Sequence, residues 1–93
     1  MLGRNLATPR GELDVLAEDD GLLVLVEVKT TGRRTEVAPW ERIPAEGRRR
    51  LEGIGAWLAA QPAFRCRGFR CDLVAVTYEG RRAVVTIRPD ALG

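Results

Sequence analysis

Two β-rich runs, Gly11–Ala17 (GELDVLA) and Leu22–Lys29 (LLVLVEVK), flank the tetrapeptide Glu18-Asp19-Asp20-Gly21. No other feature constrains the fold of this chain as much. Asp-Gly favours a type I′ turn, in which both central residues need positive φ, and such a turn closes a two-stranded antiparallel hairpin. The second run is apolar from Leu22 to Val28 almost without a break. It reads as a central strand covered on both faces.

With Asp20-Gly21 at the turn, Asp19 pairs with Leu22, and each step away from the turn pairs one residue further along. Asp14 then faces Glu27, and Glu12 faces Lys29. Residues two apart share a face, as do directly paired residues, so Glu12, Asp14, Glu27 and Lys29 are expected on one side of the hairpin. A four-residue loop, Glu18 to Gly21, keeps that parity. A three-residue loop would turn one strand over and scatter the group.

Beyond the hairpin, Thr30–Glu41 is polar and reads as a loop, with Thr-Thr-Gly-Arg-Arg and Pro39-Trp40. A helix is predicted from Pro44 to Ala60, proline suiting its first turn and Leu51, Ile54, Trp57 and Leu58 forming an apolar stripe. Gly47, Gly53 and Gly55 weaken it, and Pro62 lies past its end. Two more strands are predicted, Cys71–Tyr78 and Ala83–Arg88, joined by Glu79-Gly80-Arg81. The expectation is a single α/β domain over residues 1–93, in the order β-β-α-β-β. At this length only one small core is possible.

Composition removes several classes of chemistry. There is no histidine, so the usual general base and any Ser-His or Cys-His nucleophile are missing. Cys66 and Cys71 alone cannot build a tetrahedral zinc site, and both are expected as free thiols. No apolar run reaches the roughly 18–20 residues of a membrane span, and the first residues have no apolar segment of a secretory signal. No membrane partner is expected, and the cytoplasm is the default location. Net charge is +2, and of fifteen basic residues all but Lys29 are arginine. Lysine is a compact charge whose pKa can be tuned, whereas arginine is planar and always protonated.

Two carboxylates at cross-strand distance repel each other unless a cation sits between them. Hard oxygen ligands in that arrangement suit Mg2+ or Mn2+, and a neighbouring lysine can orient a water or neutralise charge on a phosphate. The alternative is an ordinary acid–lysine pair on a solvated sheet face, and Glu-x-Lys alone does not separate the two. Arg33, Arg34, Arg42, Arg48, Arg49 and Arg50 form either a phosphate-tracking surface or a solvated helix face. Trp57 is expected in the core, while Trp40 either stacks on a base or packs on the helix. Arg70 and Asp72, on one face of their strand, are expected to form an internal salt bridge.

Gly11-Glu12-Leu13-Asp14, the strand ending Val24-Leu-Val-Glu27-Val-Lys29, and Arg70-Cys71-Asp72-Leu73-Val74 resemble the YraN-like family of predicted endonucleases. That family belongs with restriction enzymes and archaeal Holliday junction resolvases. Arg4-Asn5 resembles the Arg-Asn preceding the family's first motif, so the likeness covers most of residues 4–78. The resemblance implies a restriction-endonuclease-like mixed sheet. It implies Asp14 and Glu27 as metal ligands with the Val28 carbonyl assisting, and Lys29 as the catalytic lysine. Glu12 becomes a further ligand or a partner of Lys29. Related proteins carry a helix before the Arg-Asn segment. Without it one sheet face is expected to lack its cover, so that either the true start lies further upstream or a homodimer hides that face.

Three readings follow. The first is a magnesium- or manganese-dependent nuclease acting on DNA, with branched or structured substrates in view. The second is a catalytically silent nucleic-acid-binding module of the same fold. The third is a structural dimer.

Overall fold

Asp20 and Gly21 both take positive φ, 50° and 79°, and between them the chain reverses into the expected hairpin. In the computed structural model, which describes residues 1–31, 45–64 and 67–91, its strands are β2 (Gly11–Asp19) and β3 (Leu22–Thr31). Their register is the expected one, with Asp19 opposite Leu22 and Val15 opposite Val26.

A strand precedes them that the sequence did not announce. β1 (Gly3–Thr8) pairs antiparallel with β2, Leu6 opposite Leu13, so the order is β-β-β-α-β-β and not β-β-α-β-β. In GRNLAT only Leu6 packs against the core, and the segment has neither alternation nor β-branched bulk to mark it. Its pairing is set by the free edge of β2, since strand preference is largely a matter of what a segment packs against. The Pro9-Arg10 turn between them is held by Thr8, whose Oγ1 accepts the Arg10 N–H at 3.1 Å.

After β3, the helix α1 (Ala45–Ala59) carries the chain back, so that β4 (Phe69–Glu79) lies parallel to β3. Parallel neighbours need a crossover of this kind. β5 (Arg82–Arg88) then folds back antiparallel on β4 across Gly80-Arg81, Gly80 taking a φ of 61°. The five strands form one mixed sheet in the order β1-β2-β3-β4-β5, with the apolar β3 at its centre. No helix of the described residues is long and apolar enough to cross a membrane.

One face of the sheet meets α1. Leu51, Ile54 and Leu58 from the predicted helical stripe are buried against Leu16, Leu23, Leu25, Cys71 and Leu73. Trp57 is half-buried at the rim of this core and not inside it. The opposite face is also apolar: register places Val28, Val74 and Ile87 in one row, and Thr30, Val76 and Val85 in the next. Val85 and Ile87 are 57% and 64% exposed there. Toward the turn this second face is capped by charge. Arg70 on β4 reaches across β3 to Asp19 on β2 at 3.2 Å, and also pairs with Asp72 at 3.2 Å.

The helix touches the sheet closely at Gly55, where an added Cβ would lie under 3.0 Å from three atoms of the Phe69 ring. At Gly53 the nearest atom would be Arg10 Cβ at 3.8 Å, an ordinary contact. Alanine gains about 1 kcal/mol of helix preference over glycine, while overpacking costs about 1–3 kcal/mol. Gly53→Ala should therefore stabilise the fold by about 0.5–1 kcal/mol, and Gly55→Ala should weaken it by about 1 kcal/mol. Urea denaturation measures both. Equal shifts of the same sign would show that Gly55 is not a packing requirement.

Candidate functional site

The β2–β3 ladder stops at Val15 and Val26. Continued in the same register, it would set the Val28 N–H against the Leu13 carbonyl. Instead, Asp14 Oδ2 accepts that N–H at 2.8 Å. The break coincides with a slip in β2: Leu13 and Leu16, three residues apart, are both buried in the core, so strict alternation does not pass through Asp14. On the other side, β1 skips the pairing opposite Asp14, where Asn5 takes a φ of 50°. The two strands part, and the Asp14 carboxylate fills the gap between them. It thereby sits on the peptide that joins Glu27 to Val28.

Glu27 is buried, its side chain 8% exposed, although it ends an apolar strand. Its counter-ion is Arg50 from α1, whose Nη2 pairs with Glu27 Oε2. Arg50 Nη1 donates to the main-chain carbonyl of Glu12 at 3.1 Å. This corrects the expectation that Arg50 lies with Arg48 and Arg49 on an outward phosphate-tracking or solvated face. Arg50 stands four residues before Ile54, on the same side of the helix, and a carboxylate enclosed at the end of an apolar strand is costly without a cation. Gly11 makes room for it: a Cβ there would stand 3.3 Å from both Cγ and Cδ of Arg50, and its φ of 135° suits glycine.

The Asp14 carboxylate and the Glu12 main-chain carbonyl thus meet the stretch of β3 around Glu27 and Val28. Leu13 and Gly11 both face α1, however, so the exposed Glu12 side chain between them points away from the face that carries Glu27, against the expectation that the four charged side chains share one side. Lys29 lies one step further along β3, beside Ala75 of β4, with its side chain exposed. Arg49 is exposed, and Arg48 is half-buried with its Nε enclosed and lacking a hydrogen-bond partner among the described residues. Arg33, Arg34, Arg42, Trp40 and Cys66 lie outside the described residues. Among the described residues, no three or more His, Cys, Asp or Glu side chains gather closely enough to hold a metal ion by themselves. Asp14 and Glu27 are carboxylates of the kind magnesium takes, since it is usually held by one or two of them and keeps several waters.

Two other polar groups belong to the scaffold. The expected Arg70–Asp72 salt bridge is present, and the hydrogen bond and charge of Asp72, joined by Asp19, hold the Arg70 guanidinium above its ordinary value. Asp72 Oδ1 also accepts the Asp90 N–H at 3.0 Å, and the Ala91 N–H donates to the Cys71 carbonyl at 2.7 Å. Cys71 is a free, buried thiol, as expected. Burial first, then the charge of Asp72 and Glu27, pushes it up to about 12, so at neutral pH it is no nucleophile.

The profile of the Uncharacterised protein family UPF0102 matches residues 1–76. A UPF0102 protein of Granulibacter bethesdensis is 38% identical over 96 residues, covering 100% of this chain and 60% of that protein. One from Caulobacter sp. is 45% identical over 83 residues, covering 88% of this chain and 58% of its own length. One from Syntrophotalea carbinolica is 34% identical over 91 residues, covering 98% and 74%. The chain belongs to the UPF0102 family, the YraN-like group. It spans 60% and 58% of the Granulibacter and Caulobacter relatives and 40% of one from Oleidesulfovibrio alaskensis.

The Glu27–Arg50 pair is asymmetric, and that generates a prediction. Glu27 is 8% exposed and Arg50 37%, so removing Glu27 lets the guanidinium turn to water, while removing Arg50 strands a buried carboxylate. Breaking a buried pair costs about 3–5 kcal/mol, and partial exposure of Arg50 argues for the low end. Arg50→Ala should cost about 3 kcal/mol without metal, and Glu27→Gln roughly half as much or less. Chemical denaturation in the presence of a chelator makes the comparison. A larger loss in Glu27→Gln would mean that the arginine is not what keeps the carboxylate there.

Proposed function

We propose that this chain forms the core of a metal-dependent nuclease of the restriction-endonuclease-like fold, hydrolysing DNA phosphodiester bonds, structured or branched DNA included. The observation that carries this reading is the Asp14 carboxylate on the Val28 N–H. It ties the Asp14 carboxylate to the peptide between Glu27 and Val28, at the point where β2 and β3 separate. Asp14 and Glu27, with the Val28 carbonyl, would hold Mg2+ or Mn2+. When bound, such an ion polarises a phosphoryl oxygen and lowers the pKa of a coordinated water. Lys29 lies exposed at the open end of β3, where a phosphodiester can approach. There its ammonium neutralises the charge that develops on the phosphate. Glu12 meets the site through its main-chain carbonyl, which accepts from Arg50. Exposed Arg49, with Arg33 and Arg34, supplies backbone contacts to DNA.

The second reading, a silent nucleic-acid-binding module, draws on Arg50, which already satisfies Glu27 without a metal. Cleavage of linear, nicked and four-way-junction DNA with Mg2+ or Mn2+ separates the two. The nuclease reading expects metal-dependent strand scission that Asp14→Asn removes in protein purified in parallel. Lys29→Arg should lower turnover by about 10²-fold or more, with folding and DNA binding nearly intact. The charge survives, but the larger guanidinium cannot take the lysine's place. Wild-type turnover in that variant would take Lys29 out of the mechanism, and cleavage by no variant or wild type would favour the silent module.

We also propose a homodimer, with a second copy over the apolar face formed by Val28, Val74, Val76, Val85 and Ile87, of which Val28, Val85 and Ile87 are exposed. An exposed apolar face of this kind marks an interaction surface. Sedimentation equilibrium at micromolar concentration should return twice the chain mass, and Ile87→Glu should return the single mass. A wild-type monomer under those conditions would dismiss the dimer.

A further inference from the structure

We infer that Arg50 is an internal counter-ion for the candidate metal position: it holds Glu27 in the metal-free protein and gives Glu27 up when a divalent cation binds. The affinity for the cation is then set by displacement of the arginine. This rests on the metal-site reading of Asp14 and Glu27.

Four features of the chain support it. Arg50 occupies the buried Glu27 carboxylate directly, through Nη2. Its second branch is fixed to the Glu12 carbonyl at 3.1 Å, so the guanidinium lies between the Gly11-Glu12-Leu13-Asp14 segment and the end of β3. Only the planar fork of arginine makes both contacts at once; lysine is a single point charge. Gly11 leaves the path open for the arginine stem. Finally, the two partners differ in freedom. The glutamate is enclosed at 8% exposure, whereas the arginine, at 37%, already has a route to water. A dication cannot share the Glu27 carboxylate with a guanidinium without strong repulsion. One of the two must leave, and Arg50 is the one that can. The free enzyme would thereby keep its enclosed carboxylate neutralised, and in its ligand geometry, when no metal is present.

The test compares wild type, Arg50→Gln and Arg50→Lys for Mn2+ binding by calorimetry and by the rise in Tm on adding Mn2+. Arg50→Gln, which loses the charge, should bind Mn2+ on the order of tenfold more tightly than wild type. Its Tm should start lower and rise further with Mn2+. Arg50→Lys, which keeps the charge, should stay within a few-fold of wild type. If Arg50→Gln is unfolded without metal, folding on addition of Mn2+ is the same result. In wild type, the Arg50 Nε–Hε NMR signal should move with Mg2+ in step with binding, a readout that needs no variant. Equal Mn2+ affinity in Arg50→Gln and wild type, with a stationary Arg50 signal and with Asp14→Asn still abolishing binding, would overturn the displacement while sparing the site. No binding of Mn2+ or Mg2+ by any of the three proteins would instead overturn the metal site itself, and this inference with it.

Discussion

The turn at Asp20-Gly21 is the constraint on which the rest of the structure depends. Both residues sit at positive φ, which glycine adopts freely and aspartate more readily than most residues. A two-residue turn of this kind leaves no freedom in the register of β2 against β3. The same turn receives the chain again after the crossover. The Arg67 N–H donates to the Gly21 carbonyl at 2.7 Å, and Arg67 Nη2 to the Asp20 carbonyl at 2.7 Å. The Leu23 N–H then donates to the Gly68 carbonyl at 3.0 Å, and the parallel pairing of β3 with β4 starts at Leu23 and Phe69. One local reversal therefore fixes the antiparallel register on one side of β3 and adjoins the start of the parallel register on the other. A slip of one residue would exchange Leu23 and Leu25 for Val24 and Val26 beneath α1, and would move Glu27 to the opposite face.

That register confronts the sheet with a difficulty at its far end. β3 carries apolar residues toward the turn and a carboxylate beyond them, still enclosed. An isolated buried charge is far costlier than any single packing defect. The chain answers with three residues from two elements: Asp14 satisfies a main-chain N–H released by the parting strands, Arg50 neutralises Glu27, and Gly11 gives the arginine room. Gly11, Glu12 and Asp14 lie in one short stretch of β2. The Gly-Glu-Leu-Asp motif is thus a structural device in its own right.

Much of this was legible from residue types alone, because local chemistry decided it. Asp-Gly specified the turn, the apolar run marked β3 as central, and Leu51, Ile54 and Leu58 marked the buried side of α1. β1 was not legible, since GRNLAT has one packed apolar side chain and is a strand because β2 offers an edge. Nor was the slip at Asp14, for an unbroken alternation is the simplest reading of GELDVLA, and the core burial of both Leu13 and Leu16 overrides it. Arg50 was hidden in a run of three arginines. Two signals were nevertheless present: its spacing of four from Ile54, and the need of an enclosed Glu27 for a cation.

Glu27 thus has two basic residues near it, and their chemistry divides the work. Arg50 is half-buried and fixed at two points, as the guanidinium fork requires, and its charge is permanent. Such a group is suited to holding a carboxylate in one place and poorly suited to following a changing charge. Lys29 is the only lysine of the chain, exposed, and set one residue beyond Val28 on the open side. A short ammonium on a flexible stem adjusts its position and its protonation more readily than a guanidinium does. If the two were exchanged, lysine at 50 would leave either the Glu12 carbonyl or part of the Glu27 carboxylate unbonded, and arginine at 29 would crowd the opening. The use of arginine everywhere except at position 29 therefore accords with one basic group that fixes Glu27 at two points and another, exposed on β3, that no such fork constrains.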